Sequence, residues 1–261
     1  MYPYTLFWDI GLYDICLTVG IIMALVIYDL YMSKRKIPSK VQNFYLLAGV
    51  AAIVLGILSA GLFQSVYNWI ETGKFVFVGM TFYGGLIGGV IVFFAVFFAV
   101  GKYLFKENEH KKYFSDLFEV APCCITIAHA FGRIGCLFAG CCFGKEVNGF
   151  PGLKMTVHYK GSDNYVGYFL PTQAYEAVFL FALFAVTSML YFKRKDVNFI
   201  VYTIGYGIWR FALEYLRADD RGALIPGITP SQFISIILVL IGVGMIVYKV
   251  LKSHKKEATT N

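Results

Sequence analysis

His129 and Arg133 stand four residues apart in the stretch H-A-F-G-R-I-G-C-L-F-A-G-C-C-F-G, residues 129–144. On a helix that spacing places both side chains on one face, one turn apart. The stretch closes an apolar run that begins near Leu117. An Arg inside an apolar span costs roughly 2.5–3.5 kcal/mol on insertion scales, so Arg133 is expected to have a partner and a task. Its guanidinium can meet phosphate oxygens in a bidentate fork, and the flanking Gly132 and Gly135 let lipid or backbone come close. The competing reading is a structural Arg paired with Glu119, Glu176 or Glu214. A second charged pair, Arg210 and Glu214, follows at the same i, i+4 spacing. An internal salt bridge explains it simply, yet such a pair in a lipid-like interior adds little net stability. An Arg held by a carboxylate and aimed at a phosphate uses the same residues better. The two islands of charge are expected to face one another across a cavity that takes an anionic headgroup.

Three further constellations invite chemistry. Tyr83 precedes Gly84, Gly85, Gly88 and Gly89, a small-xxx-small pattern that lets helices touch. Glycine-rich backbone at a helix start also offers N–H groups to an anion, and the two readings are compatible. Pro171, Gln173, Tyr175 and Glu176 open another apolar run. Proline and an acidic residue are ordinary at a helix start, while Gln173, Tyr175 and Glu176 can also line a headgroup site. Cys136, Cys141 and Cys142 have Cys123, Cys124 and His129 upstream. Zinc sites usually show paired Cys-x-x-Cys or His spacing. The C-x4-C-C pattern here therefore favours small-residue packing at a helix end, with a redox pair or reactive thiol as the alternative, and no metal site is expected.

The elements that must position these residues are membrane helices. The 261 residues are 58% hydrophobic and 15% charged, where a soluble domain carries about 25% charge. A bilayer span needs about 20 mostly apolar residues. Seven such spans lie near 11–31, 43–64, 80–101, 117–139, 172–192, 197–217 and 230–250. Most Lys and Arg fall in loops 32–42, 102–116 and 193–196 and in the tail after Val247, which predicts an outer N-terminus and an inner C-terminus. The expected fold class is an all-α polytopic membrane protein, with residues 1–261 as one integral membrane domain. Residues 143–171 hold turn signals around a short strand, Met155–Tyr159, and are expected to form a small extracytoplasmic cap. The net charge of +7 is a property of the loops; no basic-aromatic module points to nucleic acid. No basic segment precedes the first apolar run, so that span is expected to stay in the mature protein. The six cysteines do not read as a disulfide framework, since this is not a small secreted domain.

Taken together, Gly84-Gly85-x-x-Gly88, Gly132-Arg133-Ile134-Gly135, Pro171-Thr172-Gln173-x-Tyr175-Glu176, Arg210-Phe211-x-x-Glu214 and Ser231-Gln232 resemble the phosphatidylglycerol–prolipoprotein diacylglyceryl transferases. Order and spacing agree over nearly the whole chain. The resemblance implies a multi-pass enzyme of the bacterial inner membrane, its active site towards the extracytoplasmic side. It implies transfer of a diacylglyceryl group from phosphatidylglycerol to the lipobox cysteine of a prolipoprotein, releasing glycerol 1-phosphate. The implied partners are that lipid, the lipobox peptide and the bilayer, and no cofactor is implied. Arg133 and Arg210 would bind phosphate, Glu214 would orient Arg210, and Tyr13 falls near a Tyr important in the family. The family's usual His before the paired glycines is Tyr83 here, Cys136 replaces an Asn, and Leu170 stands where a His is common.

A thiol with an ordinary pKa of about 8.5 is mostly protonated at neutral pH, so the acceptor needs a base. His129 suits that task, with Tyr83 donating a hydrogen bond. Two alternatives stand beside this one: the same lipid donor with a different acceptor, and a non-enzymatic lipid or anion transporter. Against the transporter, no duplicated halves are visible.

Overall fold

The computed structural model describes residues 5–7, 10–77, 79, 81–159, 162–218 and 227–258. In chain order the elements are β1 (Thr5–Phe7), β2 (Ile10–Gly11), α1 (Leu12–Lys34), α2 (Ser39–Thr72), α3 (Phe82–Ala95), α4 (Gly101–Leu104), α5 (Glu109–Lys112), α6 (Phe114–Ala139), β3 (Leu153–Tyr159), β4 (Ser162–Phe169), α7 (Thr172–Phe192), α8 (Asn198–Glu214) and α9 (Pro230–Ala258). A π-helical turn, Val96–Val100, carries α3 into α4. Among the described residues, six helical segments are long and apolar enough to cross a bilayer: Leu12–Lys34, Ser39–Ile70, Gly84–Leu104, Lys106–Ala139, Thr172–Phe192 and Pro230–Ser253. The remaining expected span is α8, which has 17 residues and carries Arg210 and Glu214.

The chain forms two compact units, residues 31–117 and residues 1–30 with 118–261. In the unit of residues 31–117, α2 starts after Pro38 and stops at Gly73, whose φ of 70° turns its N–H back to the Trp69 carbonyl. Helix α3 lies against α2 along its glycines. A Cβ on Gly84 would come within 2.5 Å of Phe63 Cβ, and one on Gly88 within 2.4 Å of Ser59 Cβ. The Ser59 hydroxyl donates to the Gly84 carbonyl at 2.9 Å. The packing expected of this glycine pattern is therefore present, and an apolar groove of about 700 Å³ runs between the two helices. His110 is fully buried among Phe44, Phe97 and Phe105.

The other unit holds α1 up to Leu30, α6 from Phe118, and α7 to α9. Asn198, buried at the start of α8, ties three helices together. Its backbone N–H donates to Glu119 Oε2 at 3.2 Å, and its side-chain amide donates to the carbonyls of Glu119 at 2.9 Å and Thr187 at 2.8 Å. Such bonds satisfy groups that no bilayer water can reach. The expected strand within 143–171 is β3, paired antiparallel with β4 in the register Met155↔Gly167 and Val157↔Tyr165. Met155, Val157 and Phe169 form a small core beneath this hairpin, with Leu137, Phe143 and Tyr165 against it.

Candidate functional site

Helix α6 presents His129 and Arg133 on one face, as their spacing requires. Arg133 Nε donates to His129 Nε2 at 3.2 Å and lies 2.8 Å from Glu176 Oε2. Because the N–H points at His129, charge more than a linear hydrogen bond holds Glu176 Oε2. Of the three carboxylates left open by the sequence, Glu176 is thus the partner of Arg133. A ring nitrogen that accepts carries no proton, so His129 is neutral in this arrangement, with its proton on Nδ1. Glu176 Oε1 accepts from the Tyr206 hydroxyl at 3.0 Å and stands 3.8 Å from His129 Nε2. Glu176 is wholly buried on the first turns of α7, where Pro171 starts the helix and the N-terminal dipole favours a carboxylate. The Tyr206 ring meets His129 edge-on at 5.5 Å and stacks on Tyr202.

The second pair is built from α8 and the start of α9. Arg210 Nη2 lies 2.9 Å from Glu214 Oε2 and donates to Ser231 Oγ at 3.0 Å. Thr229 and Gln232 form a reciprocal N-terminal cap for α9. The Gln232 N–H donates to Thr229 Oγ1 at 3.3 Å, and the Thr229 N–H to Gln232 Oε1 at 3.1 Å. The Thr229 hydroxyl then donates to Glu214 Oε1 at 3.0 Å. Arg210 is held on both sides by one helix start, and its Nη1 is buried with no hydrogen-bond partner among the described residues. His129 and the Tyr206 hydroxyl each lie within electrostatic range of both Arg133 and Arg210. Beside Arg210, Trp209 stacks parallel on Phe179 with ring centres 4.4 Å apart. An apolar groove of about 300 Å³ follows between α8 and α9, lined by Gly207, Phe211, Ser235 and Val239 among others.

The remaining sequence candidates divide. Gly132 faces open space, whereas a Cβ on Gly135 would lie 3.1 Å from Tyr13 Cδ2 and 3.3 Å from Cys16 Cβ. Tyr13 therefore packs on α6 two residues beyond Arg133. Gln173 is buried and donates to the Cys141 carbonyl at 2.6 Å, while the Tyr175 hydroxyl reaches the Pro151 carbonyl at 3.5 Å. These two brace the segment after α6. Gly84 and Gly85 belong to the unit of residues 31–117, as does Tyr83, whose side chain lies outside the described residues. Sequence reasoning passed over Tyr206, Thr229 and Asn198. The pattern Thr229-Pro230-Ser231-Gln232 was a legible capping signal with Pro at the first helical position; Tyr206 and Asn198 carry no such mark.

After α6 the chain reverses through Gly140 and Cys142, with φ of 68° and 60°. The Cys141 N–H and thiol both point to the Cys136 carbonyl, at 3.2 Å and 3.7 Å. The Thr172 hydroxyl donates to the Cys142 carbonyl at 2.9 Å. Arg217, buried just past α8, bridges antiparallel to Gly144. Hydrogen bonds with Cys136 and Cys141, and then with Arg217, hold the Cys142 thiol well below the ordinary thiol range. The same sharing pushes Cys141 up.

Comparison with known proteins places the chain in a family. The family model for prolipoprotein diacylglyceryl transferase matches residues 4–248. A phosphatidylglycerol–prolipoprotein diacylglyceryl transferase of Dehalococcoides mccartyi is 30% identical, covering 95% of this chain and 92% of its own length. One from Clostridium tetani is 30% identical over 88% of this chain and 90% of its own. A third, from Streptococcus sanguinis, is 28% identical over 94% and 92%.

Proposed function

The chain belongs to the prolipoprotein diacylglyceryl transferase family, and from that premise we propose that it moves a diacylglyceryl group from phosphatidylglycerol to the thiol of a lipobox cysteine. It is a transferase of lipoprotein biosynthesis, set in a membrane by its apolar helices. The observation that carries the site assignment is the pair of guanidiniums, Arg133 on Glu176 and the buried Arg210 on Glu214, both within electrostatic range of His129 and Tyr206.

In this reading the donor phosphate takes the Nη1 side of Arg210 and draws Arg133 towards it. The two cations stabilise the negative charge that grows on the leaving glycerol phosphate, a preorganised electrostatic role. Movement of Arg133 frees His129 Nε2, next to the Glu176 carboxylate, to accept a proton from the acceptor thiol. The thiol sulfur forms a C–S bond with the glyceryl carbon, and the C–O bond to phosphate breaks with its electrons on oxygen. Gly132 leaves room beside Arg133, and one acyl chain fits the groove between α8 and α9. Tyr13, Gly135, Gln173 and Tyr175 are assigned supporting roles around the two substrates.

We place α8 as a seventh span, its 17 residues being the short end of what crosses a bilayer. The Lys and Arg of loops 32–42, 102–116 and 193–196 then face inward, with the N-terminus and the hairpin β3–β4 outside an inner membrane.

The deciding experiment uses purified protein, phosphatidylglycerol labelled in its diacylglyceryl moiety, and a lipobox peptide. Mass spectrometry should find a thioether-linked diacylglyceryl group on the peptide cysteine, with glycerol phosphate released in equal amount. A peptide that stays unmodified while the label moves to another acceptor overturns the assignment. A His129→Asn variant with full rate removes the base role alone.

A further inference from the structure

Cys136, Cys141 and Cys142 have no part in holding phosphate, yet their sulfurs all lie within 4.8 Å of one another. The convergence is built. Cys136 follows Arg133 by three residues on the same face of α6. The reversal through Gly140 and Cys142 brings the next two thiols back over it, with a non-glycine residue kept at positive φ; such strain of about 1–3 kcal/mol persists only where surroundings over-determine it. Those surroundings are Gln173 and Thr172, which take the carbonyls of Cys141 and Cys142.

We propose that Cys136, Cys141 and Cys142 bind one divalent d10 cation, Zn2+ in its natural setting, and that the fourth coordination position of this ion takes the acceptor thiol. The second half rests on the transfer reaction proposed above; the first does not.

Three arguments carry it. Soft thiolates select such ions, and three sulfurs on a tetrahedral Zn2+ with bonds of about 2.3 Å stand about 3.8 Å apart. The observed sulfurs, all within 4.8 Å of one another, stand close to that spacing. A disulfide needs its two sulfurs at about 2.05 Å and leaves the third thiol over. Charge is the second argument. Three thiolates and a divalent ion leave one negative charge, and the buried Arg217 beside Cys142 supplies one positive. The third is the ligand number. Among the described residues no His, Asp or Glu joins the three cysteines, and Cys141 is exposed. Three protein ligands with one open position are the pattern of a zinc ion that handles substrate.

The step balances without a redox partner. The acceptor thiol binds as thiolate and releases its proton to solvent or to His129. A sulfur lone pair forms the C–S bond, and the leaving phosphate oxygen keeps the electrons of the broken C–O bond. Since Cys136 and Arg133 share a face of α6, the nucleophile and the phosphate are delivered side by side.

Cobalt titration of the reduced, purified full chain tests this. One Co2+ per chain should bind, with a thiolate-to-metal charge-transfer band and tetrahedral d–d bands, and Zn2+ should displace it. Cys136→Ser and Cys142→Ser should each weaken binding at least about 100-fold, with the thermal melt of each variant reporting its fold. A lipobox peptide should alter the d–d bands, and its Cys→Ser form should not. Absence of the band in reduced wild-type protein, or an unchanged band in both variants, overturns the metal site. A band indifferent to the cysteine peptide overturns the acceptor role. A peptide-responsive band in protein that transfers nothing from phosphatidylglycerol upholds the site and sinks the donor assignment instead.

Discussion

Arg133 Nε stands 2.8 Å from Glu176 Oε2, and the carboxylate it meets is wholly buried. Removing one member of such a pair leaves the other charged and unpartnered, at about 3–5 kcal/mol. Glu176→Gln should therefore lower the melting temperature in detergent and also depress transfer, because Arg133 loses its anchor. Differential scanning of the purified variant checks the first effect, and an unshifted melt contradicts the pairing.

Arg133→Ala should cut transfer by about 10²–10³-fold, the scale of losing one preorganised donor to developing negative charge. Arg133→Lys keeps the charge but not the planar fork, and should fall between the two. Turnover of labelled phosphatidylglycerol measures this. Near wild-type turnover in Arg133→Ala removes the phosphate role.

The two glycines around Arg133 should behave oppositely. A Cβ on Gly132 meets nothing within 4 Å, and alanine is the better helix former by about 1 kcal/mol. Gly132→Ala should melt no lower than wild type while its KM for phosphatidylglycerol rises, since the methyl group takes space beside Arg133. Gly135→Ala pushes on Tyr13 and Cys16 and should cost about 1–3 kcal/mol of stability. Melting curves and KM values for the pair decide it.

Thr229→Val removes both the cap of α9 and the hydroxyl that holds Glu214. Loss of a cap costs about 1 kcal/mol. The expected result is a small drop in melting temperature together with a larger rise in KM, as Arg210 loosens. A KM equal to wild type shows that Arg210 does not depend on this support.

What the sequence made legible was what periodicity and charge can carry. Helical spacing put His129 and Arg133 on one face and Arg210 with Glu214, and both relations hold in three dimensions. It could not choose among Glu119, Glu176 and Glu214 for Arg133, because that choice depends on how α7 docks on α6. Tyr206 and Asn198 stayed hidden for the same reason: their importance lies in partners on other helices. For the cysteines, linear spacing argued against a metal, and it missed the left-handed turn at Gly140 and Cys142 that gathers the sulfurs. Tyr83 and its glycines were read both as packing and as anion binding, and α3 displays the packing.

The parallel stack of Trp209 on Phe179 has a use of its own. An indole next to Arg210 in sequence is a fluorophore built into α8 one residue from the proposed anion site. Its emission responds to the local field, so headgroup binding can be followed without attaching a dye. Trp209 is next in sequence to a buried guanidinium, and a Trp209→Phe difference spectrum separates its signal from those of the chain's other two tryptophans.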